Sequence, residues 1–103
     1  MSSRIDRIRA LVAANPGDPF GRYSLAMEER KISAETALLS FAQLRQDHPD
    51  YLPAYYQHGK LLADQGRAED SKEVLGAGIA LAQRVRDGHA LGELSALLEE
   101  VSG

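Results

Sequence analysis

The chain has no cysteine. Disulfides, thiolate metal sites and a cysteine nucleophile are therefore excluded. No apolar run approaches the roughly 20 residues that a membrane span needs, so no membrane insertion is expected. The opening Met1-Ser2-Ser3-Arg4-Ile5-Asp6 is charged where a signal peptide would need its apolar region. Cytoplasm is the location these absences imply. Charge of one sign is lacking too: 12 basic against 15 acidic side chains leave a net charge of -3. That balance carries no electrostatic footprint for nucleic acid. The one basic cluster, Arg4, Arg7 and Arg9 with Asp6 among them, reads as a solvated helix face. β-Branched residues are few and never alternate, so no strand is expected. What is present is 103 residues with 44% apolar and 26% charged content, which suits one small folded domain with one core.

Helical signals run the length of the chain. Ser3 and Asp6 have the spacing of a capping box, and Ile5, Ile8, Leu11 and Val12 follow as one stripe. Asn15-Pro16-Gly17 ends that helix. Asp18 before Pro19 reads as an N-cap and first helical residue, opening a second helix that runs to about Arg30. Its non-polar residues, Phe20, Tyr23, Leu25, Ala26 and Met27, do not share one stripe. Ser33 caps a third helix that continues to about Asp47, with Ala34, Ala37, Leu38, Phe41 and Leu44 on its apolar face. After His48-Pro49-Asp50 a fourth helix places Tyr55, His58, Gly59 and Leu62 on one face and ends at Gln65-Gly66. The fifth and longest starts near Arg67, with Ser71, Val74, Leu75, Gly78, Ala82 and Val85 inside. Gly76 and Gly78 weaken it by about 1 kcal/mol each relative to alanine, which points to close approach of a neighbour. Asp87-Gly88 breaks the run. A last helix carries Leu91, Leu94, Leu97, Leu98 and Val101, with Glu93, Glu99 and Glu100 outside.

No catalytic constellation emerges. His48, His58 and His89 sit on different elements, with no His-x-x-x-His or His-Glu pairing. His58 lies on the apolar face and reads as a core or semi-buried histidine. Gly-x-Ser-x-Gly and phosphate-binding glycine loops are absent. Glu28-Glu29 and Glu99-Glu100 are adjacent carboxylates that diverge by about 100° on a helix, so they share no site and read as solvated surface. The expectation is a protein that is not an enzyme and needs neither metal nor cofactor.

One internal period stands out. Pro19 and Pro53 lie 34 residues apart, as do Ala37 and Ser71, and Phe41 and Leu75. The stretch Asp47–Gly66 is the better copy, and Asn15–Met27 is a weaker version of its opening. A 34-residue helix-turn-helix period resembles the tetratricopeptide repeat family, whose pattern is Trp-x2-Leu-Gly-x2-Tyr, then Ala-x3-Phe, then Pro. In the second copy the pattern falls on Tyr55, His58, Gly59, Leu62, Ser71 and Leu75. In the first it falls on Arg22, Leu25, Ala26, Glu29, Ala37, Phe41 and Pro49. The first copy is one residue short between its helices, so its break near Ile32 should be the tighter one. Gln83 stands where the second copy should have its proline, so the fifth helix should overrun. Small residues (Ala26, Ala37, Gly59, Ser71, Gly78) let paired helices approach, and large ones (Leu25, Phe41, Leu62, Leu75) fill the space beside them.

The resemblance implies an all-α fold of antiparallel hairpins in a short right-handed superhelix of about six helices. Its layout would be a single domain over 1–103: an N-terminal helix (3–15), repeat 1 (18–50), repeat 2 (51–85) and a C-terminal capping helix (88–102). About three units are normally needed for stability, so the flanking helices would supply the missing faces. It also implies a scaffold whose first helices line a concave groove for a protein or peptide partner. Carried onto this chain, the groove would hold Phe20, Tyr23, Met27, Arg30 and Lys31, with Pro53, Tyr56, Lys60, Ala63 and Asp64. Exposed Tyr, Phe, Met and Arg are the side chains that binding surfaces favour. Packing of Phe20 and Tyr23 beneath the first helix is the alternative. Relatives that clamp a carboxylate use Lys and Asn at positions matching Tyr23, Met27, Tyr56 and Lys60, and only Lys60 fits. Self-association as a homo-oligomer, through the end faces or terminal helices, is the other reading.

Overall fold

The computed structural model describes residues 3–103. Six helices follow one another: α1 (Arg4–Ala14), α2 (Pro19–Glu29), α3 (Ala34–Asp47), α4 (Pro53–Asp64), α5 (Ala68–Val85) and α6 (Gly88–Ser102). Among the described residues there is no strand, and no helix is long and apolar enough to cross a membrane. The chain is all-α, as its periodicity implies. It divides after His48 into two compact units.

In the first unit each helix starts on a side-chain cap. The Ser3 hydroxyl accepts from the Asp6 amide at 3.2 Å, and the Asp6 carboxylate accepts from the Ser3 amide at 3.4 Å. Asp18 accepts from the Phe20 amide at 3.0 Å with Pro19 at the first helical position, and Ser33 accepts from Thr36 at 3.2 Å. These bonds satisfy amides that have no partner within the helix. Ile5, Ile8 and Val12 of α1 are half-buried, but Leu11 is 68% exposed. At about 100° per residue Leu11 falls off the edge of the stripe that the other three define. Ala26, Ala37, Phe41 and Leu44 form the core of this unit. Four residues, 30–33, separate α2 from α3, against three, 65–67, between α4 and α5. The expected tighter break is thus not found. The missing residue is taken from the end of α2, which stops at Glu29 because the Glu29 carbonyl accepts from both Ile32 and Ser33, at 2.9 and 2.8 Å.

The second unit buries more. Ala54, Tyr55, Leu61, Leu62, Val74, Leu75, Leu81, Ala82, Leu94 and Leu97 make its core, with α5 packed against both α4 and α6. The two glycines of α5 differ. A Cβ at Gly78 would lie 2.8 Å from the Tyr55 Cβ and 3.2 Å from a Leu94 methyl, so only glycine lets these helices approach. A Cβ at Gly76 would meet nothing within 4 Å, so this glycine has no such role. It lies about 100° round the helix from Leu75, which is on the buried stripe. Val85, expected inside, is 53% exposed, and Leu81 is buried instead. Val85 is the last residue of α5, where the chain turns away through Arg86 in the left-handed conformation (φ 60°). The stop therefore lies at Arg86. Gly88, expected as part of the break, is already the first residue of α6, capped by the Asp87 carboxylate accepting from Ala90 at 3.0 Å. With 18 residues α5 runs past the end of its 14-residue counterpart α3, as the absence of proline at Gln83 implies.

Candidate functional site

The rotation of α4 is fixed from one side. Tyr55, His58, Gly59 and Leu62 are all buried. A Cβ at Gly59 would lie 2.5 Å from a Leu75 methyl, so α5 approaches its backbone directly. The Ser71 hydroxyl donates to the Gly59 carbonyl at 2.7 Å, and the Tyr55 hydroxyl donates to the Pro49 carbonyl at 2.5 Å. With that face turned inward, Tyr56, Lys60 and Asp64, spaced by four residues, share another face. Tyr56 and Lys60 are half-buried and Asp64 is exposed.

Lys60, Ala63 and Asp64 form one side of an open cleft of about 320 Å³, completed by Ala68 of α5 and by Leu97, Glu100 and Val101 of α6. Tyr56 and Pro53 do not line it. The contribution of α6 to this cleft was not anticipated from the sequence, which assigns Leu97 and Val101 to the apolar side of a capping helix that could also pair with a second chain. The available signal was the width of the α6 stripe: Leu94 and Leu97 are buried, whereas Leu91, Leu98 and Val101 remain half-buried.

On α2 the residues Phe20, Tyr23, Met27 and Arg30 follow one another at spacings of three and four. Phe20 is 63% exposed, which overturns its packing beneath α1. Tyr23 is half-buried, its ring meeting Phe41 edge-on with centroids 6.3 Å apart. Met27 is half-buried and Arg30, at the C-cap of α2, is exposed. Lys31 lies 3.2 Å from Glu28.

Charge in the first unit is largely paired. Arg4 binds Glu28, and the Arg4 guanidinium, with Lys31 beside it, holds that carboxyl below its ordinary range. Arg22 lies 2.9 Å from Asp47 and, together with an amide hydrogen bond from Gln43, holds the Asp47 carboxyl low. Glu29, expected on a solvated surface, is buried and accepts from the Ser40 hydroxyl at 2.6 Å. Its position faces α3, where the repeat pattern places a large residue. His89 and Glu93 approach to 3.1 Å across one turn of α6, contrary to the expectation that no histidine pairs with a glutamate. Among the described residues no group of three or more His, Asp or Glu side chains could hold a metal ion.

A tetratricopeptide repeat domain protein from Salinibacter ruber, solved as a crystal structure, is 36% identical to this chain. The match covers 84% of this chain and 98% of that one, with a TM-score of 0.78. The chain belongs to the tetratricopeptide repeat family. A solution structure of a tetratricopeptide repeat domain protein from the same organism matches at 36% identity, over 86% of this chain and 91% of that one, with a TM-score of 0.81. A Bordetella parapertussis protein shares the fold at 23% identity, covering 99% of this chain and 90% of its own, with a TM-score of 0.84. No family model and no curated protein matches the chain. In each tetratricopeptide repeat the small signature positions, Ala26 and Ala37 in the first and Gly59 and Ser71 in the second, are buried between paired helices.

Proposed function

We propose that this chain is a non-catalytic, cytoplasmic repeat scaffold that binds a protein or peptide segment, with the exposed face of α4 in the second unit and that of α2 in the first each offered as a contact surface. One observation carries the reading: α4 buries Tyr55, Gly59 and Leu62 yet leaves Tyr56, Lys60 and Asp64 accessible beside an open cleft. Phe20, with Met27 and Arg30, gives α2 a comparable face, and aromatic, Met and Arg side chains are enriched at interaction surfaces. The test is affinity capture with the intact chain against the variants Phe20→Ala and Tyr56→Ala, with helicity checked by circular dichroism. Loss of specific partners with the fold intact supports the reading. An unchanged capture profile for both variants removes it.

A second reading has its own observation. Leu11, Ile32 and Leu39 of the first unit are all exposed, and such side chains would be covered in a homodimer. Sedimentation velocity at micromolar concentration decides it, since a strict monomer leaves self-association without support.

A further inference from the structure

The cleft between α4, α5 and α6 has a charge character that the repeat pattern does not explain. Ala63, Ala68, Leu97 and Val101 give it an apolar surface, and Lys60, Asp64 and Glu100 give it charge. Among the described residues none of these three charged groups has a hydrogen-bond or ion-pair partner. Charges at the start of α5 do pair: Arg67 with Asp70 at 2.7 Å, and Lys72 with Glu69 at 2.9 Å. Lys60 and Asp64 stand four apart with the cation first, the weaker orientation for a helical pair, and they do not join. Residues 49–103 carry nine acidic against five basic side chains, whereas residues 1–48 carry six against seven. An incoming cation therefore meets two unpaired carboxylates within an acidic unit. An incoming anion meets one ammonium and those same two carboxylates. The volume lies at the low end of the range of about 300–1,000 Å³ typical of ligand sites, so the cleft suits one side chain and its neighbours.

We infer that the cleft receives a Lys or Arg side chain of a bound peptide segment, an assignment that rests on the scaffold reading above. The alkyl stem lies on Leu97 and Val101, and the cation sits between Asp64 and Glu100. Lys and Arg combine an apolar stem with a charged head in this way. Lys60, one turn before Asp64, repels a second cation, so a single basic residue flanked by apolar ones is favoured over a polybasic run.

The test uses short peptides, capped at both ends, that differ only in a central Arg, Glu or norleucine. Binding to the isotopically labelled chain is read from the amide shifts of α4 and α6 and from titrated affinity. The Arg peptide should bind most tightly and weaken with added salt. Asp64→Asn and Glu100→Gln should each weaken it by up to about fivefold, the scale of an exposed ion pair. The double variant Asp64→Lys, Glu100→Lys should transfer the preference to the Glu peptide. These side chains are exposed, and circular dichroism verifies that each variant folds. If the Glu or norleucine peptide shifts the same amides with equal affinity, the charge assignment falls while the scaffold reading stands. If no peptide shifts any amide of α4 or α6, both fall for this face.

Discussion

The first hairpin closes α2 on α3 over Ala26 and Ala37 and fixes the contact with charge. Arg22 reaches Asp47 at 2.9 Å, and the Glu29 carboxylate takes the Ser40 hydroxyl at 2.6 Å. The second hairpin closes α4 on α5 over Gly59 and Ser71. There the positions of Arg22 and Glu29 are held by Tyr55 and Leu62, both buried. A repeat position therefore demands filled volume and satisfied polar groups, and does not demand one side chain. Long polar residues meet the demand in the first hairpin through their stems and one partner each. The second meets it with apolar bulk and the short hydrogen bond from Ser71 to the Gly59 carbonyl.

Exchanging the two solutions gives the largest expected effect. Leu62→Glu places a carboxylate where Leu62 is only 3% exposed, without the serine that receives Glu29 in the first hairpin. It should cost at least about 4 kcal/mol, from lost apolar packing and an uncompensated buried charge. The reverse exchange, Glu29→Leu with Ser40→Ala, removes both partners together and should stay within about 1 kcal/mol of the parent. Urea denaturation of both variants checks the pair. Equal losses would show that the two positions are not equivalent.

The α5 glycines give the next effect. Gly78→Ala brings a methyl within 2.8 Å of the Tyr55 Cβ, which is anchored to the α4 backbone and cannot rotate away. Overpacking of about 1–3 kcal/mol should outweigh the roughly 1 kcal/mol gained in helix propensity. Gly76→Ala meets nothing within 4 Å and should stabilise by up to about 1 kcal/mol. Thermal unfolding should move in opposite directions for the two, and a shared sign would undo the distinction.

These glycines also show what was legible in the sequence. Periodicity and the 34-residue spacing located the six helices, the caps Ser3, Asp18 and Ser33 of the first three, and the small residues between paired helices, because those features depend on local chemistry and repeat register. Gly76 and Gly78 look alike in sequence, and only the neighbour that one of them meets separates them. Glu29 looked like surface because its partner Ser40 lies on another helix. Of the candidate site, the face holding Tyr56, Lys60 and Asp64 was legible from helical spacing. The part supplied by Leu97, Glu100 and Val101 was not, since it depends on how α6 packs against α4 and α5.

A smaller effect follows from Ser71, whose counterpart in the first hairpin is Ala37. Ser71→Ala keeps the volume nearly constant and deletes the hydrogen bond to the Gly59 carbonyl. A cost of about 1 kcal/mol is expected in chemical denaturation. No change at all would mean that the hydroxyl serves only as a small residue, as Ala37 does.

The smallest effect separates the hairpins by pH. Arg22, and after it Gln43, holds the Asp47 carboxyl below its ordinary value of 3.8. A carboxyl whose pKa is depressed by folding contributes stability that is fully present above the unfolded value and is lost as pH falls through the folded one. The contribution of Asp47 should thus persist at neutral pH and fade only below 3.8. Arg22→Gln should move the Asp47 titration, followed by carboxyl-carbon NMR, back toward its ordinary value. Tyr55 occupies the matching place in the second hairpin and offers no such pair. Glu28, held low first by Arg4, adds to the same acid sensitivity of the first unit. Amide exchange measured as pH is lowered should therefore show α2 and α3 losing protection before α4 and α5. Earlier opening of α4 and α5 would place the acid-sensitive contacts in the wrong hairpin.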